Sequence, residues 1–416
     1  MNPFDVAAIL VTLAALFGYL NHRFLKFPST IGILIFALAN SLIVLGLDIL
    51  FPAWHLQQIL TGFLTRIDFN QALMHGMLSF LLFAGAIHVD LGDLKGNGWA
   101  IGSPATLGVV LSTVLVGALT HFLFAAAGVP VALPVCLVFG ALISPTDPIA
   151  VMGLLKHLGA PRDLKALIAG ESLLNDGVGV VVFLSMASLA GLGLEGVHPG
   201  HGPVRIFLQE VLGGTALGLG MGYVAYRALK SINEYQLELM ITLALVMGMY
   251  ALSFRLHVSG PIAVVVAGVI LGNPGRKYAM SERTTEYVEA FWGMLDEILN
   301  AVLFLLIGLE VLAASLDGGT IGLALLVVPV VLAARWVSVA LPLSFPRRKK
   351  RYPKGALAVL TWGGLRGGIS VALMLSLPPF PEKGLLLAAT YAVVLFSVLV
   401  QGLTMPRLFR HYGIGK

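Results

Sequence analysis

Long apolar segments, each about the length of a membrane-spanning helix, alternate along this chain with short polar breaks. A helix needs about 20 mostly apolar residues to cross a bilayer. Reading for such segments between polar or Gly- and Pro-containing breaks predicts thirteen spans. The spans lie at 4–21, 28–47, 72–91, 99–125, 133–155, 164–191, 204–229, 236–256, 258–273, 288–313, 320–344, 355–377 and 385–408. This pattern predicts an all-α polytopic membrane protein.

The distribution of Lys and Arg tests this count independently. With the N-terminus outside, 20 of the 26 basic residues fall on the inside and only 4 in outside loops. Cytoplasmic loops carry an excess of basic residues, so we expect a cell (inner) membrane protein with its N-terminus outside and its C-terminus in the cytoplasm. The net charge of +5 then follows from topology, and no nucleic-acid partner is expected.

Composition excludes the soluble classes. Only 11% of the residues are charged, against about 25% in a soluble domain. Cys136 is the single cysteine, so disulfides and cysteine metal sites are excluded and no cofactor is expected. The polar breaks are too short for an ATP-hydrolysing or regulatory domain, so residues 1–416 are predicted to form a single membrane transport domain. The basic loop 347–354 is expected to anchor the topology, with binding of anionic lipid headgroups as the alternative.

Several ionisable side chains and one amide lie near the centre of predicted spans, where charge is costly and a functional role is the default expectation. They are Asp147 in span five, Glu171, Asn175 and Asp176 in span six, Arg335 in span eleven and Arg366 in span twelve. At 1.5 Å rise per residue, all of them fall within roughly 10 Å of the bilayer midplane. Carboxylates and guanidiniums are therefore predicted to meet at one depth.

Two of these spans contain helix-breaking sequences beside a charge. Span five reads Ser-Pro-Thr-Asp-Pro over 144–148, and its two prolines make a continuous helix improbable. Span twelve carries four glycines within 363–368, which should unwind that helix. Freed backbone carbonyls are tolerated in a membrane only where they line a cavity, so such a break offers oxygen ligands to a cation. A positive charge such as Arg366 can offset the dipole at the C-terminal end of a half-helix.

The positions of the two breaks predict an internal repeat. Spans five and twelve are seven apart and therefore cross the membrane in opposite directions. Thirteen spans divide into six, one and six, as an inverted repeat with a broken fifth helix in each unit requires. We expect repeats near 1–191 and 236–410, joined by span seven at 204–229.

Span six carries the residues best suited to bind a cation. Ser172 and Asp176 are four apart and share a helix face, and Glu171 and Asn175 share the adjacent stripe. Hydroxyl, amide and carboxylate oxygens are ligands that hard cations prefer. A buried Asp176 can hold either a proton or a cation, each expelling the other, which is the property an exchanger needs. Glu171 is expected to form an ion pair with Arg335 that fixes helix packing.

Two other functions also use midplane carboxylates. A gated cation channel usually needs repeated rings from several subunits, whereas this chain has one asymmetric cluster. An intramembrane aspartyl protease would use Asp147 and Asp176 as its pair. Nearby arginines would keep both of those carboxylates ionised, which argues against that chemistry. Secondary active cation/proton antiport is the leading prediction, and we expect no enzyme activity.

Four motifs, in this order and spacing, resemble the NhaP/NHE branch of the monovalent cation:proton antiporters. They are Leu81-Leu82-Phe83 with Asp90, the Ser-Pro-Thr-Asp-Pro break, Gly-Glu-Ser-Leu-Leu-Asn-Asp-Gly over 170–177, and Gly-Gly-Leu-Arg-Gly-Gly over 363–368. The resemblance covers about residues 5–408. It implies a homodimer of thirteen-helix protomers with NhaA-like inverted repeats, a dimerisation domain, a six-helix transport core and elevator-like alternating access.

The resemblance also implies roles for the midplane residues. Asp176 looks like the essential ion- and proton-binding carboxylate, and a bound Na⁺ would contact Asp176, Ser172 and the backbone of Thr146. Asp147 looks like a ligand that acts through water. Asn175 occupies the position that distinguishes the electroneutral Asn-Asp branch, which implies exchange of one Na⁺ or Li⁺ for one H⁺.

Two further residues have counterparts in the family. Glu171 with Arg335 looks like its structural ion pair, and Arg366 like the arginine of the crossed broken helices. One position departs from many relatives, because Ala84 stands where they carry an acidic residue after Leu-Leu-Phe. The cation shell is then one ligand poorer, which leaves K⁺(Na⁺)/H⁺ antiport as an alternative.

Overall fold

The structure, a computed structural model, describes residues 3–56, 61–62, 77–90, 92, 98–147, 151–152, 155, 162–192, 203–310, 318–344 and 355–413. Within these ranges the regular elements are all helical. The helices are α1 Pro3–Leu20, α2 Ser29–Leu50, α3 Leu78–Ile87, α4 Gly98–Ser103, α5 Val109–Ala126, α6 Leu133–Ile143, α7 Arg162–Leu189 and α8 Pro203–Lys230. They continue with α9 Tyr235–Leu256, α10 Gly260–Ile270, α11 Glu282–Glu310, α12 Gly318–Ser344, α13 Ala356–Trp362, α14 Gly368–Ser376, α15 Lys383–Leu395 and α16 Leu403–His411.

Several of these helices continue through π-helical turns. Such turns extend α1 over Asn21–Leu25 and α10 over Leu271–Gly275. Others join α4 to α5 over Pro104–Gly108 and α15 to α16 over Phe396–Gly402. Single π-helical turns inside helices frequently occur at functional sites, and the last of these is close to the site described below.

Eight helices among the described residues are long and apolar enough to cross a membrane. Two of the remaining predicted spans, five and twelve, are interrupted at the breaks that their sequences predict. Helix α6 ends at Ile143, just before the proline-containing break. The glycine run separates α13 from α14, and residues 363–367 lie outside both helices.

Polar turns lengthen the tenth predicted span, and a proline lies within the ninth. The tenth span was expected at 288–313. Helix α11 begins earlier, at Glu282, because its first turns are polar and continue the helix beyond the apolar segment, and residues 311–313 lie outside the described part of the chain. The ninth span, 258–273, contains Pro261 without being broken. Pro261 lies in the first turn of α10, where its missing N–H is not needed, and the Ser259 hydroxyl caps this end by accepting from Ile262 N.

The buried apolar side chains form two clusters. The larger cluster takes residues from α1, α2, α5 to α7, the C-terminal half of α11 and α12 to α16. The smaller cluster takes residues mainly from α3, α8, α9, α10 and the N-terminal half of α11. Helix α7 contributes Leu167 and Val180 to the larger cluster and Leu173 to the smaller one. The polar segment of α7 therefore lies where the two clusters meet.

Close packing of α5 on α6 holds the first break in place, and it generates a stability prediction. A Cβ on Gly140 would overlap the backbone oxygen of Thr113. We expect Gly140→Ala to lower the free energy of unfolding by about 1–3 kcal/mol, the usual cost of overpacking. Thermal unfolding of the purified protein in detergent measures the change.

The matched control is Gly322→Ala on α12, where an added Cβ meets no heavy atom within 4 Å. Alanine favours helix over glycine, so this variant should unfold at the same temperature as the unsubstituted protein or higher. Equal midpoints for the two variants would contradict the packing account.

Candidate ion-binding site

The first break is fastened to α7 by hydrogen bonds in both directions. Thr146 N donates to Asn175 Oδ1 at 3.1 Å, and Asn175 Nδ2 donates to Thr146 Oγ1 at 2.7 Å. The hydroxyls of Thr146 and Ser172 lie 3.0 Å apart. All three residues are buried. Unwound backbone in an apolar interior needs such partners, because an unpaired buried N–H is costly.

Asp176 follows directly on α7 and is 8% exposed. Asp147, at the end of the described part of the break, is half-buried. Asp147 and Arg366 both interact electrostatically with the Asp176 carboxylate, the aspartate with its own sign of charge and the arginine with the opposite sign. The structure thus brings together the oxygen-bearing side chains that the sequence singled out in spans five and six.

The second break contacts the first through backbone and guanidinium. Asp147 N donates to Leu365 O at 2.7 Å. Arg366 Nη1 donates to Ser144 O at 2.5 Å and to Pro145 O at 2.9 Å. Arg366 is 2% exposed, and the carbonyls it binds follow the C-terminal end of α6, where a cation is favourable. The two breaks are therefore hydrogen-bonded to each other directly.

The close approach of Asp147 to the backbone of the second break explains the glycine at position 367. A Cβ on Gly367 would overlap the Asp147 carboxylate. The absence of a side chain at 367 lets Asp147 lie directly against the unwound backbone.

Glu171 and Arg335 form a buried, two-pronged ion pair. Arg335 Nη1 lies 2.7 Å from Glu171 Oε1, and Arg335 Nη2 donates to Glu171 Oε2 at 3.0 Å. Arg335 Nη2 also donates to Leu360 O at 3.2 Å. The pair thereby ties α7 to α12 and α13. Hydrogen bonds between two ionised groups, such as the one from Arg335 Nη2 to Glu171 Oε2, are among the stronger ones in proteins.

Position 84 lies on a helix that packs against α7. Ala84 is 2% exposed on α3, and its carbonyl is 2.6 Å from His88 Nδ1. The next residue, Gly85, lies against Leu173 of α7, since a Cβ there would be 3.4 Å from Leu173 Cδ1. Helix α3 therefore contacts α7 at Leu173, and its residue 84 is an alanine without a carboxylate.

Sequence reasoning missed the polar contacts that neighbouring helices make with the breaks. Ser397 Oγ accepts from Arg366 N at 2.7 Å, and Gln401 Nε2 donates to Trp362 O at 3.1 Å. On the other side, the Ser144 hydroxyl donates to Ser112 Oγ on α5 at 2.9 Å. The available signal was the spacing of Ser397 and Gln401, four apart on one face of an otherwise apolar span.

A buried cluster of carboxylate, hydroxyl and amide groups at two helix breaks, inside an apolar helical bundle, defines a membrane ion transporter. The chain belongs to the sodium/hydrogen exchanger transmembrane family, whose model matches residues 11–411. This confirms the family resemblance predicted from the motifs, and it makes the protein a transporter rather than an enzyme.

Named relatives agree with this assignment. The chain is 47% identical to the Na⁺/H⁺ antiporter NhaP of Pseudomonas aeruginosa, over 99% of this chain and 97% of that protein. It is 35% identical to the Na⁺/H⁺ antiporter NhaH of Halobacillus dabanensis, over 74% and 75% of the two chains. The fold matches the solved structure of the sodium proton antiporter MjNhaP1 of Methanocaldococcus jannaschii with a TM-score of 0.73, 18% identity and 98% coverage of each chain.

The ion pair generates a prediction about stability. Removing one partner of a buried pair leaves an uncompensated charge, which typically costs about 3–5 kcal/mol. We therefore expect Arg335→Met to lower the thermal unfolding midpoint sharply. The double variant Glu171→Leu with Arg335→Met removes both charges and should recover much of that loss.

A double-mutant cycle on the unfolding midpoints, with Glu171→Leu as the second single variant, measures the coupling between the two residues. If the losses of the two single variants simply add in the double variant, the two side chains are not energetically coupled and the pair has no structural role.

Proposed function

We propose that this protein exchanges one Na⁺ or Li⁺ for one H⁺ across the membrane, with both ions bound in turn at Asp176. The observation that carries the proposal is the buried Asp176 carboxylate of α7 beside the hydrogen-bonded set Thr146, Ser172 and Asn175. Family membership and the Na⁺/H⁺ antiport activity of the named relatives support exchange of Na⁺ for H⁺. The runner-up is K⁺(Na⁺)/H⁺ exchange by the same fold, which Ala84 leaves open by removing one acidic ligand.

In the proposed cation-bound state, Na⁺ takes oxygen ligands from Asp176, from Ser172 Oγ and from the backbone of Thr146. Asp147 contributes through a water. Arg366 stays bound to the carbonyls at the end of α6 and compensates the charge of the cluster. Hard cations favour all of these oxygens.

The stoichiometry follows from counting charge. An ionised Asp176 with Na⁺ and a protonated Asp176 without it carry the same net charge, so the carrier crosses either way with no difference in charge. Asn175 matters here because an amide adds no second titrating group. With a second carboxylate at 175, a second proton could be carried and exchange would become electrogenic.

Alternating access would use the two apolar clusters as units that move against each other. The larger cluster holds both breaks, and the polar segment of α7 faces the smaller one. Thirteen spans, inverted repeats at 1–191 and 236–410 joined by 204–229, and crossing of the broken helices are part of this proposal. The bond from Asp147 N to Leu365 O and the contacts of Arg366 with Ser144 and Pro145 support the crossing.

The assembly and its surroundings are also proposed. The protein would act as a homodimer in the cell (inner) membrane, with its N-terminus outside and its C-terminus in the cytoplasm. The 347–354 loop, the candidate contact for anionic lipids, lies outside the described residues. Transport would need no cofactor beyond the ions it carries.

Loss of the Asp176 carboxylate tests the proposed site. Asp176→Asn cannot exchange a proton for a cation, so we expect Na⁺-driven proton movement in proteoliposomes to fall to the background of empty liposomes. A valinomycin voltage clamp should leave the rate of the unsubstituted protein unchanged if exchange is electroneutral.

Asp48→Asn, on α2, is the matched control and should retain the rate of the unsubstituted protein. Proton movement that survives Asp176→Asn would remove Asp176 from the mechanism. A rate that follows the clamped voltage would refute the one-for-one stoichiometry.

Competition for one carboxylate also predicts a pH dependence. Protonation of Asp176 and binding of Na⁺ exclude each other, so the apparent KM for Na⁺ should rise as pH falls. The rise should approach about tenfold for each pH unit, the slope of one proton displaced per cation. Initial rates measured over a series of Na⁺ concentrations at several pH values give the KM. A KM that is independent of pH on the acid side would contradict a single shared site.

A further inference from the structure

One face of the segment 396–404 makes three contacts with the second break and with Trp362, the last residue of α13 before it. Ser397 Oγ accepts from Arg366 N at 2.7 Å, and Gln401 Nε2 donates to Trp362 O at 3.1 Å. Thr404 Oγ1 accepts from Trp362 Nε1 at 2.9 Å. We refer to Ser397, Gln401 and Thr404 as the polar stripe. Its two outer contacts fall on the first and last residues of the run from Trp362 to Arg366.

The contact of Ser397 with Arg366 N resembles the contact of Asn175 with Thr146 N. In each case a polar side chain on the span that comes after the broken span accepts from a backbone N–H inside the break. Asn175 is already counted among the ion-site residues. Ser397 therefore has the same relation to the second break as Asn175 has to the first.

Two of the three residues of the polar stripe are buried, so loss of their hydrogen bonds would be costly. Ser397 is 1% exposed and Gln401 is 3% exposed. Both lie in the π-helical turn Phe396–Gly402, an irregularity that frequently marks functional positions. A lost acceptor here would leave a buried backbone N–H of the break without its partner.

The Arg366 guanidinium borders a small cavity and does not use all of its donors. A cavity of ≈ 10 Å³, lined in part by Arg335, Arg366, Phe396 and Gln401, lies beside it. Within the described part of the chain, Arg366 Nη2 has no hydrogen-bond partner. The position of the guanidinium is then set by its bonds to Ser144 O and Pro145 O and by the backbone to which it is attached.

These contacts connect the polar stripe to the cation site. Ser397 Oγ accepts from the backbone N–H of Arg366. The Arg366 side chain in turn donates to the carbonyls of Ser144 and Pro145 in the first break. The neighbouring carbonyl, Leu365 O, accepts from Asp147 N. We infer that Ser397 and Gln401 are positioning residues that set the geometry of the cation site through the second break. The inference rests on the proposed function, because it names residues that tune the affinity of that same site.

The test compares Ser397→Ala with two serine controls in proteoliposomes. Ser397→Ala should raise the apparent KM for Na⁺ about threefold to tenfold, the scale of one buried hydrogen bond, while the maximal rate stays within about twofold. Ser397→Thr keeps the hydroxyl and should restore the KM. Ser185→Ala should leave both values unchanged, because among the described residues the buried Ser185 hydroxyl donates only to Val181 O in its own helix.

Gln401→Met is a second, nearly isosteric variant that removes the bond to Trp362 O, and it should raise the KM in the same direction. As a readout without transport, Na⁺ should raise the unfolding temperature of the unsubstituted protein more than that of Ser397→Ala at the same Na⁺ concentration, because weaker binding stabilises less.

Two results would overturn the inference: Ser397→Ala and Gln401→Met with the KM of Ser185→Ala, or a fall in maximal rate with no change in KM. If Asp176→Asn abolishes exchange while Ser397→Ala behaves like Ser185→Ala, only the positioning role fails. If Asp176→Asn still exchanges, the proposed function fails instead.

Discussion

The structure depends on two helix breaks that provide hydrogen-bond partners for each other's backbone groups inside an apolar bundle. Unwinding a helix there leaves backbone donors and acceptors that water cannot reach, each at a cost of about 1–3 kcal/mol. The bond from Asp147 N to Leu365 O, together with Arg366 on the carbonyls of Ser144 and Pro145, meets part of this demand. Because both breaks share these bonds, a shift in one must be transmitted to the other.

The same constraint explains why polar side chains cluster at this depth. Asn175 and Ser172 on α7 serve the first break, and Ser397 and Gln401 serve the second. The ion pair of Glu171 with Arg335 connects α7 to α12 and, through Leu360 O, to α13. Asp176 differs from these residues in the role proposed for it, because its carboxylate is the group that exchanges one cation for another.

Much of this arrangement could be predicted from the sequence, for identifiable reasons. Apolar length predicted the spans, prolines and glycines predicted the breaks, and the scarcity of charge drew attention to Asp147, Asp176, Arg335 and Arg366. The polar stripe was not predicted, because a serine in an apolar helix usually bonds to its own backbone. Ser185 does so, whereas Ser397 reaches across to Arg366 N. Whether a serine bonds to its own helix or to another segment depends on which helix packs against the break. The spacing of residues along the chain does not reveal that packing.

The proposed exchange requires the Asp176 carboxylate to hold either a proton or a cation. The number of protons released when a cation binds therefore tests it directly. Calorimetric titration of Na⁺ into the purified protein in buffers of different ionisation enthalpy, at a pH where the unliganded site is protonated, gives the number of protons released per Na⁺ bound. We expect close to one proton released per Na⁺ bound for the unsubstituted protein, and no proton release linked to Na⁺ binding for Asp176→Asn. Binding of Na⁺ without proton release at any pH, or the same release from Asp176→Asn, would contradict it.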